Sequence, residues 1–148
     1  MTMVDGDRPP AALAQYSGFL LNWIAARSRS AFSAALAEQD LHLREFATLS
    51  IVDATPGLTQ HDLAAAAEID ASTLVATLDG LERRGLAERR ILPQDRRKRA
   101  IHLTPAGEEA LARGRASAAK LGRELFGALD AEERRRFDAL LRKLVGVA

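Results

Sequence analysis

Residues 70–107 read DASTLVATLDGLERRGLAERRILPQDRRKRAIHLTPAG. Within this stretch the spacing of apolar residues changes period. Leu74, Leu78 and Leu81 recur at helical spacing behind Asp70, a natural N-cap, and Gly85 stands where such a helix stops. A helix over 71–84 is predicted. Beyond it, Leu86–Ile91 and Ala100–Leu103 read as two strands, which pair across a turn expected at 92–98. Thr104 then offers an N-cap and Pro105 the first position of another helix.

The charge of the chain gathers in the same place. Over 148 residues the formal net charge is +1, yet residues 83–99 hold eight Arg or Lys against two acids, Glu88 and Asp95. The remaining 13 basic residues face 18 acids. Such an asymmetry points to a surface built for a polyanion. A solvated loop is the plainer reading of any charge run. It does not account for six cations, Arg89, Arg90, Arg96, Arg97, Lys98 and Arg99, with so few acids beside them.

Working outward, Pro9 and Pro10 precede a long helical pattern at about 11–39, carrying Leu13, Tyr16, Leu20, Trp23, Ile24, Phe32 and Leu36. A second helix is expected at 43–54, ended by Thr55-Pro56-Gly57. Thr59 is placed to cap a short helix over 60–67, with Asp62 in its first turn. After Pro105 a long helix runs to about 128, and Asp130 with Glu133 opens a last one by a capping box. The fold class is mainly α with a small β-hairpin wing: a winged helix-turn-helix lobe plus N- and C-terminal dimerisation helices. The chain is expected to form a single domain, 1–148, with 55–103 as the DNA-binding lobe. Segments 11–54 and 104–148 would serve mainly for dimerisation and support.

That order of elements suits duplex DNA. A helix fits the major groove, and short Ser72, Thr73, Ala76 and Thr77 side chains let its backbone approach the bases. An arginine-bearing hairpin can reach the adjacent minor groove, and flanking cations neutralise phosphates.

The same residues resemble the MarR family of transcriptional regulators. The resemblance rests on Asp70-x-Ser72-Thr73, Leu81-Glu82-Arg83-Arg84-Gly85-Leu86, Asp95-Arg96-Arg97 and Leu103-Thr104-Pro105-Ala106-Gly107, in order and at family spacing. It implies that 71–84 is a recognition helix and 87–103 a wing, on a homodimer bound to a palindromic site on double-stranded DNA. Arg97 would enter the minor groove, and Asp95 would help orient an arginine. Ser72, Thr73 and Thr77 would lie near base edges and phosphates, with Arg96 and Lys98 beside them. Arg84 either meets a DNA phosphate or complements the helix dipole. The chain departs from the family at Val75 and Ala76, where a polar residue and an arginine are common, and at Gly80, often an arginine.

Regulators of this kind usually release DNA on binding a small molecule. Phe19, Trp23 and Arg27, with His42 or Phe46, form a candidate ligand site for an aromatic or anionic effector. Alternatively, Trp23 packs in the dimer core and Arg27 pairs with an acid.

Several classes are set aside. There is no cysteine, so disulfide, thiolate and iron–sulfur chemistry are absent. His42, His61 and His102 lie far apart, with no metal-ligand spacing, and neither a metal nor a cofactor is expected. No nucleophile elbow or phosphate-binding glycine loop is found, and an enzyme is not expected. Without a signal-peptide pattern or a long apolar run, the expected location is cytoplasmic, with no membrane partner. The alternatives to a sequence-specific regulator are a winged-helix protein-interaction module and a non-specific DNA binder.

Overall fold

Three leucines on one face of a short helix organise the folded chain. Leu74, Leu78 and Leu81 are fully buried on α4, Ala71–Arg83. Leu36, Leu49, Val52, Leu63, Leu86, Ile101 and Leu111 close around them. The structure, a computed structural model, describes residues 8–93 and 95–147. Along the chain α4 is preceded by α1 (Ser17–Ala37), α2 (Leu43–Ala54) and α3 (Gln60–Ala67). It is followed by the antiparallel strands β1 (Ala87–Leu92) and β2 (Asp95–Leu103), then α5 (Pro105–Leu125) and α6 (Ala131–Leu144). This is the mainly helical, winged arrangement expected. No helix among the described residues is long and apolar enough to cross a membrane.

Two compact units are present. One comprises residues 32–117 and contains the whole buried cluster just described. Its core thus draws on α1, α2 and α5 as well as on 55–103. The other comprises the stretches before 32 and after 117. Within it, Phe126 and Phe137 pack at 5.3 Å between ring centroids. Arg134 lies 4.1 Å over the Phe126 ring and donates to the Gly122 carbonyl. Leu13, Tyr16, Leu21, Leu140, Leu144 and Val145 stay exposed on this unit.

Local chemistry fixes most boundaries. Asp70 caps α4 through the Thr73 N–H, Thr59 and Asp62 cap α3 reciprocally, and Asp130 with Glu133 caps α6. Gly85 ends α4 at φ +66, a left-handed conformation that glycine adopts freely. The Thr104-Pro105-Ala106-Gly107 turn joins wing to helix by close contact. The Thr104 hydroxyl donates to the Gly85 carbonyl at 2.5 Å and accepts from the Gly107 N–H at 3.1 Å. A Cβ on Gly107 would lie 1.9 Å from the Leu86 carbonyl oxygen, so only glycine fits.

Three expectations are corrected. The first helix begins at Ser17, not residue 11, after a 3-10 turn at Ala11–Leu13, and it ends at Ala37 before Asp40 at φ 53. The fifth helix stops at Leu125 rather than about 128. The hairpin is also tighter than the expected turn at 92–98. Leu92 pairs with Asp95 while Ile91 pairs with Arg99, so β2 begins at Asp95 and residues 96–98 bulge from the ladder. Gln94, within that expected turn, lies outside the described residues.

Candidate nucleic-acid interface

A helix turns about 100° per residue, so the side of α4 opposite its three leucines is the stripe Ser72, Ala76, Asp79 and Arg83. Ser72, Ala76 and Arg83 are exposed, and Val75 is exposed on one flank. Thr73 and Thr77 are half-buried on the other. The polar atoms here are already engaged. Asp70 accepts the Ser72 hydroxyl at 2.5 Å and the Thr73 hydroxyl at 2.6 Å. Those two hydroxyls, with the Thr73 N–H, hold the Asp70 carboxyl well below the usual carboxylate range. The Thr77 hydroxyl donates to the Thr73 carbonyl at 2.9 Å.

At the end of the helix the two arginines separate. Arg84 turns inward: its guanidinium donates to both oxygens of the buried Glu45, at 3.0 and 3.1 Å. It also reaches the Asp40 carbonyl and, at 3.2 Å, the Asp40 carboxylate. The Glu45 carboxylate meanwhile accepts the His42 N–H at 2.9 Å. Arg84 therefore clasps the end of α4 to the α1–α2 turn. Arg83, given no DNA role in the sequence reading, faces outward with no ion pair among the described residues. The signal was available: the leucine stripe places 83, not 84, opposite the core.

The hairpin shows a similar division. Arg89, less than a fifth of its side chain exposed, reaches back to Asp79 at 2.9 Å and to Glu82, tying β1 to α4. Arg90 pairs with Glu88. Arg96, Arg97, Lys98 and Arg99 are exposed, and none has an ion pair among the described residues. Asp95 accepts the Arg97 N–H at 3.0 Å, so it orients Arg97 through the main chain. Arg99 sits within β2 opposite Ile91.

Arg89, Arg97, Lys98 and Arg99 flank an open groove of about 620 Å³, lined also by Thr59, Gln60 and His61 at the start of α3. The helix N-terminus adds positive potential from its free N–H groups. Asp62 faces the same groove. Its carboxyl is lowered chiefly by the Thr59 hydroxyl and N–H, and less by His61 and Lys98. The Ile101 N–H donates to the Leu58 carbonyl at 2.9 Å, which fastens the base of the wing beside α3.

The candidate effector residues divide between the two units. Phe19 and Trp23 pair at 6.0 Å on α1, with Arg27 one turn further along. His42 precedes α2 in the other unit, where Phe46 packs edge-on against Phe32 at 5.1 Å.

Comparison with known proteins places this geometry. A family model described as MarR family matches residues 39–98. The chain is 34% identical over 106 residues to the Escherichia coli O111:H- transcriptional regulator HosA, covering 72% of this chain and 78% of HosA. It is 34% identical over 99 residues to a putative transcriptional regulatory protein for the hcr operon of Thauera aromatica, covering 67% of this chain and 60% of that protein. Among solved structures, a mutant of S. aureus MepR matches with a TM-score of 0.77 at 26% identity, over 88% of this chain and 97% of that one. Another MepR mutant, bound to an oligodeoxyribonucleotide, matches at 0.65 and 26%, over 88% and 96%. A structure of Bordetella bronchiseptica BpsR, describing regulation of DNA binding by 6-hydroxynicotinic acid, matches at 0.72 and 27%, over 86% and 97%.

Proposed function

The chain belongs to the MarR family of transcriptional regulators, not enzymes, and from that premise we propose a ligand-responsive repressor acting as a homodimer on a palindromic operator. The observation that carries this reading is the row Arg96–Arg99: four exposed cations without an acidic partner among the described residues, beside a helix with small outward side chains. Arg97 enters the minor groove, Arg96 and Lys98 meet phosphates, and Asp95 orients the wing. Ser72, Thr73, Ala76 and Thr77 face the major groove, with Arg83 at the far end of the same face. Arg84 positions the helix rather than touching DNA, because Glu45 and Asp40 already hold its guanidinium.

The proposed organisation remains one MarR-like domain, its terminal helices serving dimerisation. Exposed Leu140, Leu144 and Val145 support this, since a monomer would leave that apolar surface in water. Two protomers would set their recognition helices one DNA turn apart, roughly 34 Å. A planar aromatic acid is proposed as effector, held by the Phe19–Trp23 pair and Arg27. The BpsR structure supports that chemistry.

Fluorescence anisotropy on the DNA flanking the protein's own gene, against a scrambled duplex, tests the regulator reading. A preference of at least about a hundredfold for the flanking DNA is expected of a specific regulator. Equal, weak binding to both overturns it in favour of a non-specific or protein-binding role. Trp23 fluorescence and thermal stability against a panel of aromatic acids test the effector; indifference to all of them removes it.

A further inference from the structure

The hydrogen-bond pattern of α4 restricts which bases it can read. A Ser or Thr hydroxyl has one hydrogen to donate. On Ser72 and Thr73 that hydrogen is held by Asp70, at 2.5 and 2.6 Å, and on Thr77 by the Thr73 carbonyl, at 2.9 Å. Asp70 remains a carboxylate under any ordinary condition, since those contacts keep its carboxyl well below the usual range, and it holds both hydroxyls in place. Asp79 is an acceptor only, already occupied by Arg89. What remains between 72 and 79 is the Ala76 methyl on the outward stripe and the exposed Val75 isopropyl beside it. No hydrogen-bond donor faces outward before Arg83 at the last turn.

Guanine shows the major groove two acceptors, N7 and O6, and needs a donor opposite them. This helix centre has none to give. Thymine shows a C5 methyl, which an alanine or valine side chain covers by apolar contact, and the adenine or cytosine amino group can donate to a hydroxyl lone pair. We infer that Val75 and Ala76 are specificity-determining residues that select thymine by its methyl group at the centre of each half-site. Readout of guanine is thereby confined to Arg83 at the helix end. This rests on the proposal that α4 lies in the major groove.

Selection of binding sequences from a randomised duplex pool by the full-length protein tests it. Each enriched thymine in the selected site is then replaced by deoxyuridine, which deletes the methyl and keeps the pairing. Enrichment of thymine at the inner positions is expected, with about a fourfold loss of affinity for each contacted methyl removed. Val75→Ala should blunt that sensitivity, and Ala76→Arg, on an exposed site, should move the selected base towards guanine. A site enriched for guanine at the inner positions, or one indifferent to deoxyuridine throughout, overturns this inference and leaves the regulator intact. A pool yielding no enriched sequence overturns the operator reading itself.

Discussion

The outward face of α4 and the bulged start of β2 are neighbours in sequence and opposites in chemistry. On α4 the polar groups satisfy one another: Asp70 holds Ser72 and Thr73, Arg89 holds Asp79, and Arg84 is drawn to Glu45. On β2 the cations 96–99 are left to the solvent. On the proposed reading the two regions supply different parts of DNA binding. Unpaired cations bring affinity that is indifferent to sequence and sensitive to salt. A donor-poor helix would bring shape and methyl contacts, which discriminate while contributing less force. The salt bridges of Arg89 join the two, so that the helix and the wing are presented as one surface.

The contrast breaks most visibly if the wing cations are deleted together. Arg96, Arg97 and Lys98 changed to alanine should lower operator affinity by at least about a hundredfold at moderate salt, while leaving the fold unchanged, since these side chains are exposed and outside the buried core. Anisotropy and circular dichroism on the same samples check both halves. A loss of helix signal, or an unchanged affinity, would show that the row is not a grip.

A smaller effect separates the two arginines of α4. Arg84→Ala strands the buried Glu45 carboxylate and should cost about 3 kcal/mol of stability, the lower end for a broken buried pair, because a third of the Arg84 side chain remains in water. Arg83→Ala should be neutral within about 0.5 kcal/mol, as for other exposed positions. Chemical denaturation of the two variants side by side decides it. Equal stability would dissolve the clasp.

The smallest effect concerns the helix cap. The Asp70 carboxyl is depressed in the fold relative to its usual 3.8. A depressed folded value contributes stability that is fully present above the unfolded value and disappears as pH falls through the folded one. Asp70→Ala should therefore lower Tm by about 2–4 °C at neutral pH. The gap should hold down to about pH 4.5 and narrow only in stronger acid. A gap that closes near pH 6 would assign the effect to another group.

Much of this was written in the sequence wherever chemistry is local. Asp70, Thr59 and Asp130 announced their helices because a cap acts within three residues, and Gly85 announced an end because its φ is its own. The leucine period of α4 gave its buried face, and the run of cations gave the wing. The register of the hairpin was not legible: a bulge at 96–98 depends on how β1 and β2 meet, and both a long turn and a bulged strand satisfy the same alternation. Nor was the role of Arg84, whose partner Glu45 lies 39 residues away. The early end of α1 was missed because Asp40 adopts a left-handed conformation more usual for glycine.

The most direct test of the central claim is the salt dependence of operator binding for wild type, Lys98→Ala and Arg84→Ala. Each lost phosphate contact flattens the plot of log affinity against log salt by about 0.9, so a dimer lacking both Lys98 side chains should lose about 2 from the slope. Arg84→Ala should weaken binding without changing the slope. A Lys98→Ala slope equal to wild type, or an equal flattening by Arg84→Ala, would contradict the division of labour between wing and helix.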